Sequence, residues 1–105
     1  PATPRARLFA FDLVERHPQG SQAFIPMSMT SFLVIVAPDQ DGTPGHPEAF
    51  ITQPGQAINI HRNIWHGVLT PLSEPGLFAV VDRIGETPNL EEYIYSSQYV
   101  VTSQP

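Results

Sequence analysis

Apolar and polar residues alternate with a period of two along much of this chain, and that period predicts strands. From Leu8 to Arg16, Phe9, Phe11 and Leu13 fall on one face and Asp12 on the other. Pro18-Gln19-Gly20 then predicts a turn, and Gln22 to Met27 a second strand that ends near Pro26. Ser31 to Ala37 is a continuous apolar run (SFLVIVA), the pattern of a strand buried on both faces. Pro38 to Pro47 is rich in Pro, Gly and Asp and reads as an exposed loop. Glu48 to Gln53 is a short strand. Pro54-Gly55 suits the two central positions of a type II turn, since proline presets the first dihedral and glycine accepts positive φ at the second. Gln56 to His61 alternates again, with Ala57, Asn59 and His61 on one face. Val68 to Leu69 and Leu77 to Asp82 follow as strands, separated by Ser73-Glu74-Pro75-Gly76. Asn89 to Val101 admits two readings: Asn89 as the cap of a helical turn carrying Glu91 and Glu92, or strand through Tyr93, Tyr95, Tyr99 and Val100.

Roughly seven or eight strands result, which predicts an all-β fold, a double-sheet jelly roll or small antiparallel barrel. The 105 residues suit a single domain over 1–105. Twelve prolines and seven glycines favour strands and tight turns over helix interiors.

Composition removes several chemistries. There is no cysteine, so thiolate nucleophiles, disulfides and cysteine zinc sites are excluded. There is no lysine either, which excludes Schiff-base catalysis. A net charge of -5 argues against nucleic acid or an anionic membrane as partner, although a local arginine or metal still suits an anionic metabolite. No apolar run approaches the ~20 residues that span a bilayer, and no signal peptide is visible, so the default expectation is a soluble cytoplasmic protein.

Two stretches carry candidate chemistry. In Glu15-Arg16-His17-Pro18-Gln19-Gly20-Ser21-Gln22, Glu15 and His17 share one face of a strand, and Gln22 opens the next strand beyond the turn. Such a mixture of nitrogen and oxygen donors suits a divalent metal; solvated decoration of a strand end is the plainer reading. In His61-Arg62-Asn63-Ile64-Trp65-His66, two histidines straddle a bend that contains an arginine and a tryptophan. In cupins a strand headed by Pro-Gly commonly leads to a turn and then a metal-binding or catalytic histidine. His66 holds the corresponding place here, and the likeness implies that it would face a barrel interior near His17 and Gln22. His61 reads more simply as a surface or packed residue, and Trp65 as core or pocket wall. Arg62 and Arg83 are the candidates for gripping a carboxylate, with pairing to Asp82 the plainer reading for Arg83. His46 lies in the polar loop and reads as solvated.

These residues resemble a known family. Glu15-Arg16-His17-Pro18, Gly20 and Gln22 to Met27 look like one signature of the ureidoglycolate lyases. Ala49-Phe50-Ile51, Asn59, His61-Arg62-Asn63, Trp65-His66 and Asp82-Arg83 look like the other, and the match runs from about Leu8 to Gly85. The resemblance implies a cupin-type barrel and a homodimer acting in allantoin and purine catabolism. It further implies that the chain corresponds to the C-terminal two-thirds of such a lyase, cleaving ureidoglycolate to glyoxylate and urea.

That reaction is an elimination from a carbinolamide, and it needs a base, an acid and a cationic anchor. The expected catalytic residues are His66, His17 and Glu15, and the substrate-binding residues Arg62, His61, Gln22 and Trp65. His17, Gln22 and His66 are the expected ligands of a divalent ion such as nickel, manganese or zinc, with no organic cofactor. Gly67, where the family often carries a further histidine, and the lack of a family-type N-terminal segment support a second reading, a non-catalytic metabolite-binding or dimerisation module. Another metal-dependent cupin enzyme is the third.

Overall fold

The computed structural model describes residues 7–68, 70–71, 78–82 and 88–102. Among them the regular structure is entirely strand: β1 Arg7–Arg16, β2 Gln22–Pro26, β3 Phe32–Ala37, β4 Asp39–Gln40, β5 Thr43–Pro44, β6 Glu48–Ile51, β7 Ile58–Ile60, β8 Trp65–His66, β9 Thr70–Pro71, β10 Phe78–Asp82 and β11 Glu91–Thr102. Every pairing is antiparallel. The larger sheet runs β11-β1-β8-β3-β6 with β9 also on β3, and a smaller one runs β10-β2-β7. The two curl into a half-barrel of the cupin type.

Strand β3 is the spine of the larger sheet and uses both its faces. Leu33, Ile35 and Ala37 join Phe11, Val14 and Trp65 on one side, packed by Phe9, Tyr93, Tyr95, Tyr99 and Val101. Phe32 and Val34 join Ile60 on the other side, packed by Val36 of β3 itself, by Phe24, Ile58 and Phe78 from the smaller sheet, and by Ile64. The second cluster is the barrel interior. Burying each such side chain stabilises the fold by about 1.5–3 kcal/mol.

Turn chemistry agrees with the sequence where it is local. Gly55 has φ of 74°, and the Gln56 amide donates to the Gln53 carbonyl at 3.0 Å, closing the expected Pro-Gly turn. Within the expected loop 38–47, β4 and β5 form a small hairpin around Asp41 and Gly42, both with positive φ (54° and 92°), as a two-residue type I′ connection requires.

Several expectations are corrected. The strand expected at Val68–Leu69 is instead two short ones, β8 before it and β9 after it; Leu69 itself lies outside the described residues. The alternating segment 56–61 pairs only over Ile58–Ile60, and its Ala57, Asn59 and His61 face is exposed. The helical turn at Glu91-Glu92 does not form: both residues pair with β1 in strand β11. Leu77, the 73–76 turn and Arg83 lie outside the described residues.

The correction with most consequence is in β1. Strict alternation puts residues 9, 11, 13, 15 and 17 on one face. The register against β11 shifts between Phe11 and Leu13: Phe11 stands opposite Tyr99, but Leu13 stands opposite Ile94. This irregularity reverses the faces, so Phe11 and Val14 both enter the first cluster. Glu15 and His17 then emerge on the barrel side.

Candidate metal and catalytic site

Strand β8 is two residues long and sits between β1 and β3. His66 pairs with Glu15 on one side and Val36 on the other. Its neighbour Trp65 faces the first cluster, so alternation turns His66 into the barrel. There it meets His17, ring centroid to centroid 5.2 Å, and the edge of Phe24 at 6.2 Å. Glu15, Gln22, Phe24, His66, Gly67, Val68, Phe78 and Val80 line an open cavity of about 300 Å³. Glu15, His17 and His66 offer donor atoms that all lie within 4.8 Å of one another.

The hydrogen bonds define the state of both imidazoles. His17 Nδ1 lies 2.7 Å from the Asn89 carbonyl, and His66 Nδ1 lies 3.2 Å from the Gly67 carbonyl. A carbonyl only accepts, so each Nδ1 carries a proton, and in the neutral form of either ring the lone pair sits on Nε2. Both Nε2 atoms are buried with no hydrogen-bond partner, as is Gln22 Oε1. Glu15 Oε1 stands 3.9 Å from His17 Nε2, too far for a direct hydrogen bond. Burial pushes the His66 pKa below its ordinary value; its bond to the Gly67 carbonyl and the charge of Glu15 oppose the shift, and Asp82 opposes it further. The cavity thus gathers buried acceptors that lack a donor, which is the chemistry of a cation site. Backbone carbonyls orienting the ligating histidines through Nδ1 are what such a site needs behind its ligands.

The other candidates are placed elsewhere. Trp65 is 2 % exposed and belongs to the first core cluster, on the opposite side of β8 from the cavity. His61 and Arg62 are exposed on the turn before β8. That turn does touch the site through its backbone: Asn63, with φ of 68°, donates its N–H to the His17 carbonyl at 3.2 Å. His46 is exposed and packs edge-on against Tyr99, away from the cavity. Asn89, read from sequence as a helix cap, instead secures the turn after β1: its carbonyl accepts a hydrogen bond from His17 Nδ1 and its Oδ1 accepts from the Gln19 N–H at 2.7 Å. Nothing in the local sequence marks this, because the partners are joined only by the fold.

A family model described as ureidoglycolate lyase matches residues 1–102. The chain belongs to the ureidoglycolate lyase family. A curated ureidoglycolate lyase of Chelativorans sp. is 57% identical over 90 residues, covering 86% of this chain and 54% of that protein. The Mesorhizobium japonicum ureidoglycolate lyase is 56% identical over 99 residues, 94% of this chain and 61% of the relative. That of Rhodobacter capsulatus is 58% identical over 92 residues, 88% and 57%. The chain therefore spans a little over half the length of the ureidoglycolate lyases it matches.

Proposed function

We propose that this chain carries the catalytic cavity of an enzyme that splits ureidoglycolate into glyoxylate and urea. Two observations support the reading together: the relatives are named for that activity, and two imidazoles present unpartnered Nε2 lone pairs beside a carboxylate in one cavity. The second is the one that carries it, because it is a feature of this chain's own residues.

Ureidoglycolate has one carbon bearing a carboxylate, a hydroxyl and a urea nitrogen. The hydroxyl loses its proton, its oxygen becomes the C=O of glyoxylate, the C–N bond breaks, and urea leaves with a proton on nitrogen. No electrons are exchanged with a cofactor. His66, which burial keeps neutral, offers Nε2 to the hydroxyl proton. The proton His66 gains is the one the departing nitrogen needs, and Glu15 and His17, whose donor atoms lie beside it, would relay it there. Gln22 offers its amide to the urea group. A divalent ion held by His17, His66 and Glu15, with Gln22 beside it, would polarise the substrate oxygens and acidify the hydroxyl, and His66 would then serve as ligand instead of base. No arginine or lysine is among the described residues lining the cavity. The substrate carboxylate thus needs that ion, or Arg62 swinging in from the neighbouring turn.

The test is release of urea and glyoxylate above the spontaneous breakdown of substrate, measured with EDTA and with added nickel, manganese or zinc. Turnover restored by one metal supports the ligand role of His66; turnover in EDTA supports its role as base. No turnover in any condition sinks the proposal for this chain, and substrate binding without turnover would point to a binding module.

The same reading carries a homodimeric, cytoplasmic protein whose single domain corresponds to the C-terminal two-thirds of such a lyase. No helix of the described residues is long and apolar enough to cross a membrane. In β11, Tyr93, Tyr95 and Tyr99 pack on the chain's own core, while Ile94 and Val100 stay exposed at 69% and 44%. Together with Val81 and Ile25, exposed at 58% and 40%, they offer apolar surface to a second copy. Sedimentation at micromolar concentration showing monomer alone would remove the dimer.

A further inference from the structure

Arg16 stands between Glu15 and His17 and points the other way. Its guanidinium lies over the Trp65 ring, 4.6 Å from the centroid. Nη1 donates to Asp39 Oδ1 at 2.7 Å; Nε donates to Glu91 Oε2 at 2.9 Å, with Nη2 2.7 Å from the same oxygen. Trp65 Nε1 donates to the same Asp39 Oδ1 at 3.0 Å. One arginine side chain, 13% exposed, thereby joins β1, β4, β8 and β11 behind the cavity.

Each of these contacts has a site residue next to it in the chain. Trp65 immediately precedes His66. Glu91 follows, two residues on, the Asn89 carbonyl that accepts the His17 Nδ1 hydrogen bond. Strand β8 pairs with β3 at both of its residues but with β1 at a single position, so its ladder bonds alone specify its placement against β1 weakly. The stack of Arg16 on Trp65 fixes β8 against β1 from the back, and the Glu91 fork draws the start of β11 toward the His17 turn. Asp39 and Glu91 are 34% and 48% exposed, so water can take over their charges if the arginine is lost. Removing Arg16 then loosens the geometry without collapsing the sheet.

From this we infer that Arg16 is a positioning residue for Glu15, His17 and His66, acting through Trp65 and Glu91 from the opposite face of the sheet. The inference rests on the reading of that cavity as the functional site. A bidentate, flat guanidinium is what the arrangement uses, and lysine reproduces its charge but neither the fork nor the stack.

Three measurements on the 105-residue chain test it. Long-range proton–nitrogen NMR correlations report the imidazole tautomers, and a ring-to-ring NOE reports the approach of His17 to His66; neither needs a metal. Cobalt(II) titration, followed by its visible absorption, reports whether the donors still converge. Arg16→Gln is expected to weaken or abolish the NOE, mix the tautomers and lower cobalt affinity about tenfold or more. Arg16→Lys should fall between Arg16→Gln and the unmodified protein. Trp65→Phe, which keeps the stack but loses the bond to Asp39, should disturb His66 more than His17. His46→Ala should change none of these signals.

Unaltered imidazole signals in both Arg16→Gln and Trp65→Phe would overturn the inference. Should Arg16→Gln fail to fold, Arg16→Lys and Trp65→Phe decide it by the same signals. An unmodified protein that takes up no cobalt would count against the metal in the proposed function, and the tautomers and NOE would still decide the role of Arg16.

Discussion

Glu15 and His66 stand directly opposite one another in the antiparallel pair of β1 with β8. Directly opposed residues lie with Cβ atoms ~4.5–5.5 Å apart on one face of a sheet. The carboxylate is therefore a built-in neighbour of the imidazole, and His17, two residues further on and just past the end of β1, completes the group. The arrangement belongs to the sheet, so substitutions that leave the sheet intact should isolate the chemistry.

His66→Ala should lower urea release by about 10²–10⁴-fold, the usual cost of losing a general base, while far-UV circular dichroism stays unchanged. His46→Ala, on the exposed loop, should retain full activity and is the matched control. Equal activity in the two variants would reduce His66 to a packing residue.

Acid should destabilise this protein partly through His66. Its folded-state pKa is held below the ordinary value of 6.5, chiefly by burial. The unfolded chain therefore takes up a proton at a pH where the native state still resists it. The contribution is complete above about pH 6.5, is lost as pH falls below that value, and levels off once the native imidazole also protonates. Urea unfolding in EDTA between pH 7.5 and 5 checks this; His66→Gln should flatten the decline. A decline just as steep in that variant would assign it to other groups.

Thr52 anchors the start of the spine strand. Its Oγ1 accepts from the Phe32 N–H at 3.0 Å, and its own N–H donates to the Phe32 carbonyl at 3.1 Å. Thr52→Val keeps the shape but leaves the amide of a fully buried residue without an acceptor, which should cost about 1–3 kcal/mol. Thr52→Ser, retaining the hydroxyl, should cost clearly less. Denaturant midpoints of the pair decide the point.

Gly55 occupies a position that rejects a side chain on two counts. Its φ is 74°, and a Cβ there would sit 2.7 Å from Met29 Sδ. The methionine end is flexible and exposed, so the backbone strain should dominate. Gly55→Ala should lower stability by about 1–2 kcal/mol, and Gly55→Asn by less, because asparagine tolerates the left-handed region better. An unchanged thermal midpoint in Gly55→Ala would show that the turn relaxes into another form.

Local patterns in the sequence determined a good part of this protein. The unbroken apolar run 31–37 marked β3, because a strand with a core on each side has no polar face. Pro54-Gly55 marked its turn, because the backbone angles are a property of those two residues. The types and order of Glu15, His17, Gln22, Trp65 and His66 marked the family. Which way these side chains point was decided only in three dimensions. Simple alternation sends Glu15 and His17 to the same side as Phe9 and Phe11, into the aromatic core. The irregular register of β1 against β11, near Asp12, reverses the faces and delivers both to the cavity instead. The same fold turned Trp65 away from the cavity and gave Arg16 three distant partners, Asp39, Trp65 and Glu91. Side-chain direction on a strand depends on parity, and parity here is set by pairing with residues some eighty positions away. No window of local sequence contains that relationship, because it is made by hydrogen bonds between strands that meet only when the chain has folded.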